Sequence, residues 1–221
     1  MRTSDSPPPG SVDSSMSTRL LVVEDDPDVA FMIREWLVRT WSGPVAVDTA
    51  PTMAGALDAL AEAPVSAVVL DLGLPDTCGL DGVTRLRDLF PAVPVVVLTG
   101  RADDELAAEA LRLGAQDYVV KGQADPSQLC RIVSHAVDRQ RFSDALVTSQ
   151  AMLSEAQRVA HLGSWTWDLA TDAVTWSDEM YRIYGVAPGS IEVTLDTILD
   201  RVHPDDREGV MATLSAALKE R

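Results

Sequence analysis

Cysteine is nearly absent from this chain, and the two present, Cys78 and Cys130, are far apart and in no Cys-x-x-Cys or Cys/His spacing. That pattern argues against a disulfide framework and a zinc site, leaving reduced thiols in a cytosolic protein as the expectation. Basic residues are also scarce: 18 Lys and Arg stand against 34 Asp and Glu, for a net charge of −16. Nucleic acids and anionic membranes are held by clustered cations, so neither is an expected partner. No apolar run approaches the roughly 18 residues that a spanning helix needs. Residues 1–17 are rich in Ser, Pro and Asp with no apolar stretch. They make neither a leader peptide nor a span and read as a disordered tail, so a soluble, intracellular, cytoplasmic protein is expected. No Gly-x-Gly-x-x-Gly follows the first apolar run, which removes a dinucleotide-binding enzyme.

What is present is a set of short apolar runs, each ending in a polar residue of a useful kind. Arg-Leu-Leu-Val-Val stops at Glu24-Asp25, and Ala-Val-Val-Leu stops at Asp71. Val-Pro-Val-Val-Val-Leu stops at Thr99, and Asp-Tyr-Val-Val stops at Lys121. Between the runs lie amphipathic stretches with helix signals. Asp26 is placed to cap a helix with Pro27 at its first position, carrying Val29, Ile33, Trp36 and Leu37 on one face and ending before Gly43-Pro44. Val45–Val47 reads as a strand, Met53–Leu60 as a helix stopped near Pro64, and Ala67–Leu70 as the third strand. A loop with Pro75 and Gly79, a helix around Val83–Leu89 and a strand over Val95–Leu98 follow. A helix over Asp103–Leu113 ends at Gly114, as a C′ glycine would end it, and Tyr118–Val120 is the fifth strand. Strands alternating with helices imply a doubly wound α/β fold, a parallel sheet covered on both faces. In such sheets ligands bind where the carboxyl ends of the strands converge.

From Pro126 a long amphipathic segment has no Gly or Pro until Gly163. Leu129, Ile132, Val133, Ala136 and Val137 come first, then Phe142, Leu146, Leu153 and Ala156 at mostly three- and four-residue spacing. Such a helix outruns one domain, so its second half is expected to be a coiled-coil linker that makes a parallel homodimer. After Gly163 the texture changes. Ser164–Leu169 alternates as a strand, Ala170–Ala173 turns, and Val174–Trp176 starts a second strand. Ser177 can cap a short helix through Tyr184 stopped by Gly185, and His203-Pro204-Asp205-Asp206 opens a final helix. His203 there serves helix opening better than ligation.

The strand tips would gather carboxylates, a hydroxyl and an ammonium around Asp71. A nucleophilic carboxylate that accepts a phosphoryl group needs a cation nearby to neutralise the phosphoryl oxygens. Magnesium takes oxygen ligands and is usually held by one or two carboxylates plus phosphate. Asp25 and Asp71 can supply those, with Glu24 acting through water. Thr99 offers a hydroxyl donor and Lys121 a point charge to the phosphoryl oxygens. Without metal the crowded carboxylates would repel one another.

Residues from about Arg19 to Ala136 resemble the receiver domains of two-component response regulators. The resemblance rests on Leu-Val-Val-Glu24-Asp25-Asp26, Val-Leu-Asp71-Leu-Gly-Leu-Pro-Asp, Val-Leu-Thr99-Gly100 and Asp-Tyr118-Val-Val-Lys121. It implies a five-stranded sheet in the order 2-1-3-4-5 and phosphorylation of Asp71 by the phosphohistidine of a partner histidine kinase or phosphotransfer protein. It also implies Mg2+ held by Asp25, Asp71 and the Gly73 carbonyl, with Glu24 outside. Thr99 and Tyr118 would be the switch pair, acting on the face of the fourth helix, fifth strand and fifth helix and on the long helix. The small Gly100 would leave the phosphoryl group reachable. One departure is Gly122, where the family usually has a proline with a cis bond; a trans bond is expected here.

Leu162–Leu169, Val174–Glu179, Tyr184-Gly185 and Val202–Arg207 resemble a PAS domain, of which only the first half falls within this chain. The implied organisation is a tail over 1–17, a receiver core over 18–125, a last receiver helix with linker over 126–160 and an incomplete, α+β PAS-like part over 161–221. The protein would then be no enzyme beyond chemistry on its own Asp71. Two alternatives stand beside it: a receiver–PAS fragment of a larger sensor kinase or signalling enzyme, and a magnesium phosphatase using an aspartyl-phosphate. The phosphatase would need a second Asp two residues after the nucleophile, where Gly73 stands. A kinase phosphohistidine at His135 lacks the adjacent acid, since Ala136-Val137 follow it.

Overall fold

A computed structural model describes residues 18–100 and 104–219 of the chain. The tail expected over 1–17 and the helix start at Asp103 lie outside the described residues. The chain divides into two compact units between Ser143 and Asp144.

In the first unit the apolar runs are strands: β1 (Thr18–Val23), β2 (Val45–Ala50), β3 (Ala67–Asp71), β4 (Val95–Thr99) and β5 (Asp117–Val120). They form one parallel five-stranded sheet in the order β2-β1-β3-β4-β5. Every residue of β3 and of β4 is buried, as unalternating Val and Leu require of central strands covered on both faces. The helices between them are α1 (Pro27–Thr40), α2 (Met53–Glu62), α3 (Asp81–Leu89), α4 (Asp104–Arg112) and α5 (Pro126–Ala160). One face of the sheet makes a core with α2, α3 and α4 through Met53, Ala56, Val83, Leu86 and Ala110. The other meets α1 and the first turns of α5 through Ile33, Leu37, Leu129, Val133 and Val137.

The expected helix punctuation is observed. Asp26 accepts from the N–H groups of Asp28 and Val29, so α1 starts where the sequence places it. Gly114 has φ +98°, and its N–H donates to Leu111 O while that of Ala115 donates to Ala110 O. Those two bonds are the Schellman closure that a left-handed glycine permits. Strand β2 runs three residues past the expected Val47, because Asp48, Thr49 and Ala50 continue the register against Leu21, Val22 and Val23.

α2 is capped twice. Thr52 Oγ1 accepts from Gly55 N–H at 3.1 Å. Asp76, from the loop after β3, accepts from Met53 N–H and Ala54 N–H, both at 2.9 Å. The backbone donors of Ala54 and Met53 hold the Asp76 carboxyl below its ordinary range. A depressed carboxyl adds stability that is complete above its unfolded pKa of about 4 and disappears as pH falls through the folded value. Asp76→Asn is therefore expected to narrow the gap between neutral and acid stability below about pH 4, read from urea midpoints across pH.

α5 runs 35 residues without a break. Its buried residues, Leu129, Cys130, Val133, Ala136 and Val137, all lie in its first half. Phe142, Leu146 and Leu153 are 76%, 60% and 60% exposed.

In the second unit α5 ends on His161, which takes the left-handed C′ position at φ 51°. Its N–H donates to Arg158 O and that of Leu162 to Gln157 O. Gly163 then passes close over the short helix α6 (Asp178–Ile183): a methyl group on it would lie 3.0 Å from Met180 Cα. Strands β6 (Trp165–Asp168) and β7 (Ala173–Trp176) pair antiparallel in a two-stranded sheet. Ser177 caps α6 by accepting from Met180 N–H, as its sequence position suggests. Trp176 is buried and stacks on Tyr184 at 4.6 Å between ring centroids. α7 (Leu195–Leu199), which the sequence reading leaves out, is one short stretch closed by a Thr194–Thr197 capping box. His203 Nδ1 accepts from Asp205 N–H at the 3-10 turn before α8 (Arg207–Lys219), in keeping with helix opening.

Candidate functional site

The register of the sheet brings the polar strand tips to one edge. Val23 pairs with Leu70, Asp71 with Leu98 and Thr99 with Val120, so β1, β3, β4 and β5 end within a residue of one another. The N–H of Glu24 donates to Ala50 O, which carries β1 one residue past its end. The N–H of Lys121 donates to Thr99 O at 2.8 Å, which fixes Lys121 beside β4.

Glu24, Asp71 and Thr99 are buried, at 3%, 6% and 7% exposure, whereas Asp25 is exposed. Lys121 Nζ lies 2.6 Å from Glu24 Oε2 and 2.9 Å from Asp71 Oδ1, one ammonium bridging two buried carboxylates. Glu24, Asp25 and Asp71 each present a carboxylate oxygen within 4.8 Å of the others. Burial, reinforced by the Asp71 charge, pushes the Glu24 carboxyl above its usual range even though Lys121 opposes it. Burial alone would lower the Lys121 ammonium, but Glu24 and Asp71 overbalance it and hold its pKa up. Among the described residues the cluster is thus a pocket of negative charge only partly answered by the Lys121 ammonium. Its donors are all hard oxygens, two of them buried, and this set fits a divalent cation such as magnesium.

Gly73 stands two residues after Asp71, where an added methyl group would lie 3.1 Å from Asp71 Oδ2. A side chain there would press on the Asp71 carboxylate, which would have to give by a few tenths of an ångström. Tyr118 is half-buried, opposite Val97 in β4, against the core that the sheet shares with α2, α3 and α4. Gly122 has φ +80° and follows a trans bond, so a left-handed glycine makes the turn after Lys121. His135 is exposed on α5 and belongs to no such cluster.

The sequence reading singles out Glu24, Asp25, Asp71, Thr99 and Lys121, and the fold brings all five to this edge. It gives Glu24 only an outer role through water, and the direct Glu24–Lys121 ion pair is new from the structure. Asp76 is also missed. Its partners are backbone groups 22 and 23 residues earlier, and nothing in the local sequence separates it from a solvated surface acid.

Comparison with known proteins covers the part of the chain that holds this edge. Residues 20–134 match the family described as response regulator receiver domain, and residues 173–221 match the PAS fold. The transcriptional regulatory protein KdpE of Mycobacterium tuberculosis is 46% identical over 105 residues, 47% of this chain and 44% of that protein. The chain therefore spans under half the length of that relative. The sensor histidine kinase TmoS of Ectopseudomonas mendocina is 32% identical over 130 residues, 58% of this chain and 13% of that one. Among solved structures, a response regulator receiver domain protein from Clostridium thermocellum superposes with a TM-score of 0.52 at 24% identity. It covers 57% of this chain and 98% of that one, a likeness of fold.

Proposed function

The chain belongs to the response regulator receiver family, and on that premise we propose that it is a phosphoacceptor module of two-component signalling in which Asp71 takes a phosphoryl group from a kinase or phosphotransfer-protein histidine. The observation that carries the reading is the convergence of Glu24, Asp25, Asp71 and Lys121 on one strand edge. An Asp71 oxygen attacks phosphorus. The O–P bond forms as the P–N bond of the donor breaks, and the departing imidazole nitrogen keeps the electron pair and takes a proton from solvent. Asp25, Asp71 and the Gly73 carbonyl, with Glu24 through water, would hold Mg2+, which supplies charge neutralisation on the phosphoryl oxygens. Lys121 moves its ammonium from Asp71 Oδ1 to a phosphoryl oxygen, and the Thr99 hydroxyl donates to another. Thr99 and Tyr118 form the switch pair, since Tyr118 lies on the strand beside β4 and is only partly buried. The chemistry is confined to this chain's own aspartate. Incubation with acetyl phosphate and magnesium, followed by mass mapping of the modified peptide, tests the assignment.

The proposed organisation is a receiver core over 18–125, a helix and linker over 126–160 and a partial PAS-like part over 161–221. The order of receiver and PAS fold, with the likeness to a sensor histidine kinase, supports a second reading as the receiver–PAS portion of a larger signalling protein. In either reading the exposed Phe142, Leu146, Leu153 and Ala156 make the seam of a parallel homodimer. Burying a leucine contributes about 1.5–3 kcal/mol, so Leu146→Glu is expected to weaken self-association by roughly 100-fold. Sedimentation velocity across a dilution series reads the change, and a wild-type monomer at all concentrations would remove the seam.

A further inference from the structure

Asp76, in the loop that follows Asp71, has a structural task that the phosphoacceptor chemistry does not use. Its two carboxylate oxygens divide between two N–H groups at the start of α2, Oδ1 on Met53 and Oδ2 on Ala54, each at 2.9 Å. The first turn of a helix leaves four N–H groups without intrahelical partners, at the positive end of the helix dipole. Thr52 already answers one of them locally. The second cap comes from a segment 22 and 23 residues later, so it ties two parts of the chain together as well as closing a helix.

The tied segment is the one that carries the site. Residues 72–80 form turns and bends between β3 and α3. Leu74 is 3% exposed and belongs to the same core as Met53, whose side chain also abuts Gly82 at the start of α3. The loop is therefore pinned at Leu74 by packing and at Asp76 by charge-assisted hydrogen bonds. Gly73 lies between those pins and Asp71, in the close approach to Asp71 Oδ2 described above.

We propose that Asp76 is a positioning residue for the Asp71 site: by fixing the loop over residues 72–80 to the N-terminus of α2, it sets the place of the Gly73 backbone beside Asp71 and so the site's affinity for a divalent cation. The inference rests on the reading of Asp71, Asp25 and Gly73 as the cation-binding set. Groups that orient ligands without touching the metal typically change its affinity 10- to 100-fold when removed.

The test is a Mg2+ titration of the full chain, followed through the amide resonance of Gly73, with a thermal melt of each variant. Asp76→Ala is expected to raise the Mg2+ dissociation constant by about 10-fold. Asp76→Asn, which keeps one oxygen acceptor, is expected to recover part of that loss. Thr52→Ala removes the other cap of the same helix without touching the loop, so it is expected to lower the melting temperature and leave the dissociation constant within about twofold of wild type. An unchanged constant in Asp76→Ala overturns the proposal. So does an equal shift in Thr52→Ala, because the effect would then follow the stability of α2. If Asp76→Ala does not fold, Asp76→Asn against Thr52→Ala decides in the same way. Binding that survives Asp71→Asn would instead overturn the reading of the site. Binding lost in Asp71→Asn but unmoved in Asp76→Ala overturns the role of Asp76 alone.

Discussion

Asp71→Asn is expected to abolish phosphoryl labelling by acetyl phosphate while leaving a folded protein. The amide has nearly the shape of the carboxylate but is no nucleophile and carries no charge for a cation. Lys121, which bridges Glu24 and Asp71 in the native chain, keeps Glu24 as a partner at 2.6 Å. The loss of one carboxylate also removes the Asp71 charge that helps push Glu24 upward. The substitution thus deletes the acceptor without leaving a buried ammonium unpaired, so a circular-dichroism melt should remain cooperative. Intact-mass measurement after incubation with acetyl phosphate and magnesium reads the result. Labelling that persists in the variant would move the acceptor to another residue.

Lys121→Met is expected to act on both stability and chemistry. The ammonium is the only cation in contact with the two buried carboxylates among the described ion pairs, at 2.6 and 2.9 Å. Its removal leaves Glu24 and Asp71 facing each other with no compensating charge among the described residues. Breaking a fully buried pair costs about 3–5 kcal/mol, but the Lys121 side chain is 27% exposed, so about 1–3 kcal/mol is the fitting scale here. Added magnesium should return part of that loss, because a cation bound among Glu24, Asp25 and Asp71 answers the same charge. The labelling rate should not recover in the same way. One missing electrostatic partner at the position where charge develops typically costs about 100- to 1,000-fold. Melting curves with and without magnesium, beside labelling time courses, separate the two effects. A variant labelled at the wild-type rate would remove Lys121 from the chemistry.

The polar strand tips are readable from sequence because a central parallel strand announces itself. Val68, Val69, Val96 and Val97 are wholly apolar neighbours with no alternation, so the first polar residue after each run marks where the sheet edge begins. The caps at Asp26 and Gly114 are readable for a similar reason, since the side chain and the backbone it serves lie within a few residues. What escapes the sequence depends on partners brought together only by folding. The Glu24–Lys121 ion pair reaches across the sheet from the end of β1 to the end of β5, and the Asp76 cap joins a loop to a helix two elements earlier. α7 is missed because five residues hold too little periodicity to announce a helix. The length of α5 announces that it outruns one domain, but the division between Ser143 and Asp144 lies inside an unbroken helix, where no glycine or proline marks the point.

The short antiparallel pair β6–β7 has a consequence for handling the protein. Among the described residues it has two strands and therefore two outer edges whose backbone donors and acceptors face no neighbouring strand. Such edges are templates for further strand addition, and a two-stranded sheet has little cooperativity with which to resist it. Trp165, on β6, is 43% exposed and adds an adhesive apolar surface to that template. Solubility at high concentration should therefore depend in part on residues 165–176, far in sequence from the charged edge around Asp71.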